Sequence, residues 1–174
     1  GFRAVSRNGA VVSDLTLADT GTAVKPTTGR LVGLMEVRDQ KVVSFQSDVD
    51  ALASSFVTRI NGIHAGGYGL DGSTGNDFFD PAGTTARQIA VSDVVMGDLN
   101  TIAASTAATL TGDGSNALAL SGIRSEMLMN GGTQTIEEYY SDTIGRVGAE
   151  AKGVFIDAEG QKLVMNQIST RREN

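Results

Sequence analysis

The sequence predicts an elongated α+β chain. It is expected to have two long antiparallel helices (about 30–64 and 133–172), an N-terminal β-hairpin and a small mixed β/α insert. Three observations carry this. Apolar residues recur every seventh position in two separate stretches, the spacing of a helix with one apolar seam. Gly66-Gly67 and Gly131-Gly132 bracket the segment between them. Asn8-Gly9 stands between two runs of β-tolerant residues, and Asn-Gly accepts the positive φ angles of a type I′ hairpin turn. The expected division is therefore a hairpin segment at 1–27, a helical rod made of 28–65 with 133–174, and an α/β insert at 66–132.

Taken in order, the strands come first. Phe2 to Val24 reads as strands, with Thr20-Gly21-Thr22 as a second turn and Pro26 closing the section. Thr28 is the expected N-cap of the first helix. Met35, Val42, Val49, Phe56 and Ile63 lie seven apart; Leu31, Phe45 and Leu52 fill the neighbouring row, and Arg38 interrupts it. A helix of about 34 residues at about 1.5 Å each is about 50 Å long. Gly66-Gly67 is expected to end it in a left-handed cap. "DGSTGND" is turn chemistry, and "FFDPAG" is expected to dock Phe78 and Phe79 on the adjoining core. Ala86–Val94 alternates enough for a strand. "TIAASTAATL" suggests a short helix and loop, and "SNALALSGIRSEML" a helix capped by Ser115. In the last helix Ile144, Ala151, Ala158 and Met165 form one row, and Tyr140, Val147, Val154, Gln161 and Ile168 the next. The two alanines permit close approach of a partner helix. The first helix is the expected partner, with Leu52 and Phe56 buried near Val147, Ala151 or Val154.

Composition excludes several functions. With 174 residues the chain suits one ordinary domain or an elongated pair of small ones. No cysteine is present, which rules out disulfides, thiolate metal sites and a cysteine nucleophile. A single histidine argues against a histidine-based metal centre. The net charge is -6, and apart from Arg171-Arg172 the basic residues are scattered. No positive stripe for nucleic acid results. No apolar run is long enough to cross a bilayer. The chain opens on Gly1-Phe2 and closes on Thr170–Asn174 with no helix stop, which leads us to expect more protein on both sides.

Candidate chemistry is sparse. The stretch "IHAGGYGLDGSTGNDFFD" (Ile63–Asp80) holds the histidine and three acids. As a calcium loop from Asp71 it places Gly75 at the fifth position, Asn76 at the sixth and Ala82 at the twelfth, so only the first position fits. Asp71, Asp77 and Asp80 are expected to serve turns and caps. His64, in the last helical turn, is expected to be structural, since no serine stands in a nucleophile context. "TGDGSNA" resembles a phosphate loop but lacks the Walker lysine and the Rossmann spacing. Glu137-Glu138 sits where a helix start favours negative charge. Tyr140 lies on the apolar row and is expected to be in the core, which disfavours Tyr139-Tyr140 as a binding patch. No catalytic, cofactor-binding or metal residues are assigned, and no cofactor is expected.

Four segments resemble the flagellar hook-associated protein 1 (FlgK) family, in that family's order. They are "TGRLVGLMEVRDQ" (Thr28–Gln40), "NGIHAGGYGLDGSTGNDFFD" (Asn61–Asp80), "GDGSNALALSGI" (Gly112–Ile123) and "TIEEYYSDTIGRVGAEA" (Thr135–Ala151). "NQISTRREN" (Asn166–Asn174) resembles the start of the family's C-terminal motif. Gly1–Lys25 resembles it only loosely. The resemblance implies a non-enzymatic structural protein that joins hook to filament, is exported by the flagellar type III apparatus and lies outside the cell on the bacterial flagellum. Implied partners are neighbouring axial subunits, namely hook and other hook-associated proteins, and an export chaperone at a C-terminus beyond this chain. Nucleic acid and membrane are not expected partners. The chain by itself is expected to be monomeric or weakly associated, since its apolar stripes are expected to be covered internally. The rivals are a flagellin-like or hook-associated protein 3-like secreted filament or adhesion protein, against which "SNALAL" and the Gly-Tyr-Gly to Phe-Phe segment speak, and an unrecognised binding module or enzyme.

Overall fold

The computed structural model describes residues 2–6, 13–27, 29–108, 110 and 112–173. They form two compact units, Gly1–Ser47 and Asp48–Asn174. The fold class is α+β, with long helical segments and small antiparallel sheets.

In the first unit, β1 (Phe2–Ser6) pairs antiparallel with β2 (Ser13–Leu17), from Phe2↔Leu17 to Ser6↔Ser13. The Asn8-Gly9 turn lies outside the described residues, as does the Thr28 cap. Gly21, at φ 68°, closes the next turn by donating its N–H to the Leu17 carbonyl, a conformation suited to glycine. Helix α1 (Arg30–Glu36) begins after Gly29, which makes no side-chain cap.

The run expected over 30–64 is helical but not uniform. A π-helical segment, Val37–Lys41, separates α1 from α2 (Val42–His64). It falls where Arg38 breaks the apolar row. There Arg38 turns to its neighbour, with Nε and an Nη on the two oxygens of Asp39 at 2.5 and 2.8 Å. A π turn adds a residue and shifts the phase of the stripe. Val42, next in the heptad row, is accordingly exposed.

The second unit holds the core. Val57, Val95, Ala103, Ile123 and Met129 are buried there, beside the polar Asn61, His64, Ser92, Thr101, Ser105, Asn116 and Thr143. Phe78 and Phe79 dock as expected: Phe79 lies 5.7 Å from the Phe56 ring, and Phe78 meets His64 edge-on at 5.4 Å.

The strand expected at Ala86–Val94 is absent. Thr85 starts a turn, accepting from the N–H groups of Gln88 and Ile89, and Val91 makes only an isolated bridge to Phe79. Ser92 then caps α3 (Asp93–Gly97), its Oγ accepting from the Val95 N–H. A helix-start signal, Ser92-Asp93, prevails over the alternation before it. The next segment gives one 3₁₀ turn, Leu99–Thr101, in place of a short helix. Helix α4 (Ser115–Gly122) forms, but Ser115 is its first residue and not its cap. A second hairpin that the sequence reading missed pairs β3 (Met127–Met129) with β4 (Gln134–Thr135).

Helix α5 (Ile136–Glu173) follows at once. Its expected burial against α2 is overturned. Val147 and Val154 are exposed, as are Phe155, Ile156, Leu163, Val164, Met165 and Ile168. Leu52 and Phe56 are half-buried, and Val57 is the residue sealed from solvent. The insert meets part of α2. Phe79 covers Phe56, the Leu128 carbonyl takes the Ser55 hydroxyl at 3.4 Å, and Glu126 takes Arg59 at 2.5 Å. Phe79, Glu126 and Leu128 thus meet α2 along Ser55–Arg59, while α5 meets it at Asp48 through Tyr139 and Arg146. Tyr140, expected in the core, is 53% exposed.

Candidate functional site

The densest concentration of buried polar side chains surrounds the end of α2. The α-helical turn puts Asn61 and His64 three residues apart on the face that also carries Val57. Each side chain reaches out of the helix to loop backbone. Asn61 Nδ2 donates to the Phe79 carbonyl at 2.9 Å, and its Oδ1 accepts the Phe79 N–H at 2.8 Å. His64 is wholly buried; its Nε2 accepts the Ala103 N–H at 2.9 Å. That fixes the proton on Nδ1, which donates to the Asn76 carbonyl at 2.7 Å. From α4, Asn116 Nδ2 donates to the Ala103 carbonyl at 2.7 Å. Ala103 is therefore clamped at both its N–H and its carbonyl by side chains from two helices.

The glycines allow this closeness. A Cβ on Gly67 would lie 2.2 Å from Asn116 Nδ2 and 3.0 Å from the Ala103 methyl. One on Gly69 would lie 2.5 Å from the Asn100 carbonyl oxygen. Gly66 and Gly67 do not form the expected left-handed cap; neither has positive φ. They turn on the Ile63 and His64 carbonyls, and Gly67 is required for contact, not for handedness.

The carboxylates are committed to backbone. Asp71 Oδ1 accepts from the Ser73 N–H at 2.9 Å, and Asp80 Oδ1 from the Ala82 N–H at 2.9 Å, the expected turn bonds. The bonds from Ser73 hold the Asp71 carboxyl below the usual range. Asp77 contributes its backbone carbonyl, which takes the Ser92 hydroxyl at 2.6 Å. In "TGDGSNA" the loop supplies its own anion. Asp113 Oδ1 accepts from the Ser115 hydroxyl and N–H, and Oδ2 from the Thr106 N–H and hydroxyl and the Ser105 hydroxyl. These bonds, that from the Ser115 hydroxyl first, hold Asp113 well below the usual carboxylate range. The Thr106 and Ser115 N–H groups are thereby taken.

Glu138 closes a capping box at the start of α5. Its carboxylate accepts from the Thr135 N–H at 2.8 Å, and the Thr135 hydroxyl accepts from the Glu138 N–H at 3.2 Å. The Thr135 N–H lowers the Glu138 pKa. Tyr139 donates to Asp48 at 3.1 Å, and Arg146 pairs with the same carboxylate. Burial, followed by the bond to Asp48, raises the Tyr139 pKa.

Asn61, Asn116, Asp113 and Asp48 went unnoticed in the sequence. The Thr-x-x-Glu spacing of Thr135 and Glu138 was a legible signal. Asparagines in a helix carry no such mark, because their partners are peptides 18 and 13 residues away.

This geometry defines a class: a structural segment in which imidazole, amide and carboxylate groups are spent holding a loop insert to helix ends. Known proteins agree with it. The flagellar hook-associated protein FlgK helical domain matches residues 4–79, which takes in the hairpin strands that resembled the family only loosely and stops at the residue Asn61 grips. Flagellar hook-associated protein 1 of Bacillus subtilis (strain 168) is 27% identical over 185 residues, 94% of this chain. The chain spans 36% of the length of that relative. Both matches are to flagellar hook-associated proteins, and residues 4–79 are similar to the FlgK helical domain.

Proposed function

We propose that this chain is a load-carrying part of a flagellar hook-associated protein, the kind that joins hook to filament. The single observation that carries the reading is the match along 94% of the chain to a protein named as hook-associated. The side-chain geometry supports it, since the buried polar groups hold backbone.

The proposed organisation is a hairpin segment (1–27), a helical rod (28–65 with 133–174) and an α/β insert (66–132). An antiparallel course of α2 and α5 is supported by Asp48 meeting Tyr139 and Arg146, while Arg59, further along α2, meets Glu126, further back in the chain. Proposed partners are the hook and the other hook-associated subunits of the axial structure, outside the cell. An export chaperone acts on the protein before it leaves. The exposed apolar residues of α5 from Val147 to Ile168 are the proposed surface toward those neighbours, because exposed apolar side chains gathered on one element are candidates for contact.

The test is genetic. Deleting the coding stretch for this chain in its own bacterium should leave hooks in place and release filament subunits into the medium. Normal filaments on such cells would overturn the proposal.

A further inference from the structure

We propose that Asn130-Gly131 is a site of spontaneous covalent modification, where an exposed asparagine converts through a succinimide to aspartate and isoaspartate. The site is the turn between β3 and β4. Asn130 has φ 49°, and Gly131 and Gly132 follow at 69° and 88°. Three successive left-handed residues need glycine or asparagine. All three are exposed. Nothing lies within 4 Å of a Cβ built on Gly131, so the approach of its nitrogen to the Asn130 side chain is uncrowded.

The chemistry balances without a further reagent than water. The Gly131 backbone nitrogen, giving up its proton, bonds to Asn130 Cγ. The bond from Cγ to the side-chain nitrogen breaks, and ammonia leaves. Water then opens the five-membered imide at one of its two C–N bonds. Opening at Cγ gives aspartate; opening at the backbone carbonyl gives isoaspartate, which adds a methylene to the main chain.

Two other Asn-Gly pairs occur in the sequence, at Asn8 and Asn61. Asn61-Gly62 provides an internal control. It lies within α2, is 7% exposed, and has both amide atoms bound to the Phe79 peptide. Helical backbone holds the Gly62 nitrogen away from its Cγ, so the same dipeptide is inert there.

Conversion has a structural consequence. Asn130 Nδ2 donates to Gln134 Oε1 at 2.5 Å, and Gln134 Nε2 donates to Asp142 on α5 at 2.6 Å. A carboxylate cannot donate. The converted residue therefore repels the Gln134 oxygen and competes with Asp142 for the Gln134 nitrogen. It also adds a negative charge to a chain at -6. The link from the hairpin tip to α5 is weakened.

The experiment ages the folded chain at mildly alkaline pH in heavy-oxygen water, then digests it with trypsin and maps it by mass. Cleavage after Arg124 and Arg146 isolates Asn130, and cleavage after Arg59 and Arg87 isolates Asn61. The Asn130 peptide should lose its amide, take up solvent oxygen and yield isoaspartate, while the Asn61 peptide keeps its amide. In urea both peptides should convert. Gly131→Ala should slow the reaction at Asn130. Three results overturn the proposal: an unconverted Asn130 in the folded chain when the urea sample has converted, equal conversion of Asn61 and Asn130 in the folded chain, or aspartate without isoaspartate.

Discussion

Asn61 treats Phe79 as a neighbouring strand would: its side-chain amide gives one hydrogen bond to the Phe79 carbonyl and takes one from the Phe79 N–H, at 2.9 and 2.8 Å. The Phe79 ring itself packs against the Phe56 and Phe78 rings. Leucine at position 61 fills similar space and satisfies neither group. A buried unpaired donor or acceptor costs about 1–3 kcal/mol. Asn61→Leu should therefore lower unfolding stability by about 2–4 kcal/mol, read from urea denaturation. A change within about 0.5 kcal/mol, the range of ordinary surface substitutions, would show that the pairing is not stabilising.

His64 tests the same idea with a second side chain. His64→Phe keeps the ring against Phe78 but leaves the Ala103 N–H and the Asn76 carbonyl without partners. A loss of about 2–4 kcal/mol is expected. His64→Gln, which can still supply one donor and one acceptor, should recover part of it. Equal stability of the two variants would assign the histidine a packing role alone.

How much of this was legible in the sequence follows from what each signal depends on. The helical spans were legible because heptad spacing is local. The Asn61 and His64 bonds were not, because they depend on where the chain returns after 12 to 39 residues. The proposed burial of Val147, Ala151 and Val154 failed for a related reason. Periodicity shows that a face needs a cover, but it does not name the cover, and Phe56 is met by Phe79 of the insert. The strand expected at Ala86–Val94 failed because two-residue alternation is weak beside the cap at Ser92. Of the loop, the turn roles of Asp71 and Asp80 were read correctly from residue type, since Asx turns are closed within two residues.

Asp113 sets a pH dependence whose sign is fixed. Its hydrogen bonds lower its pKa in the folded chain relative to the unfolded one. The stability it contributes is complete above the unfolded value of about 3.9 and is lost as the pH falls through the lower folded value. The acidic limb of a stability–pH profile should therefore flatten in Asp113→Asn, with the difference between the two proteins greatest at neutral pH. Parallel profiles would show that Asp113 has the same pKa folded and unfolded.

The exposed apolar residues of α5 favour weak association over a strict monomer, the two states expected of the chain. Internal coverage of the stripes was the reason to expect a monomer, and Val154 at 63% and Phe155 at 67% exposure remove that reason. Sedimentation over a concentration series should show weak, concentration-dependent association. Val154→Lys with Met165→Lys should abolish it, since a charged side chain is not tolerated in an apolar contact. Association unchanged by this pair would place the contact elsewhere.

The proposed place of this chain is a structural position between hook and filament. Electron microscopy with gold-labelled antibodies raised against this chain measures that directly on intact cells of its bacterium. Label should be confined to the boundary where the hook meets the filament. Label spread along the filament shaft, or absent from the flagellum, would contradict it.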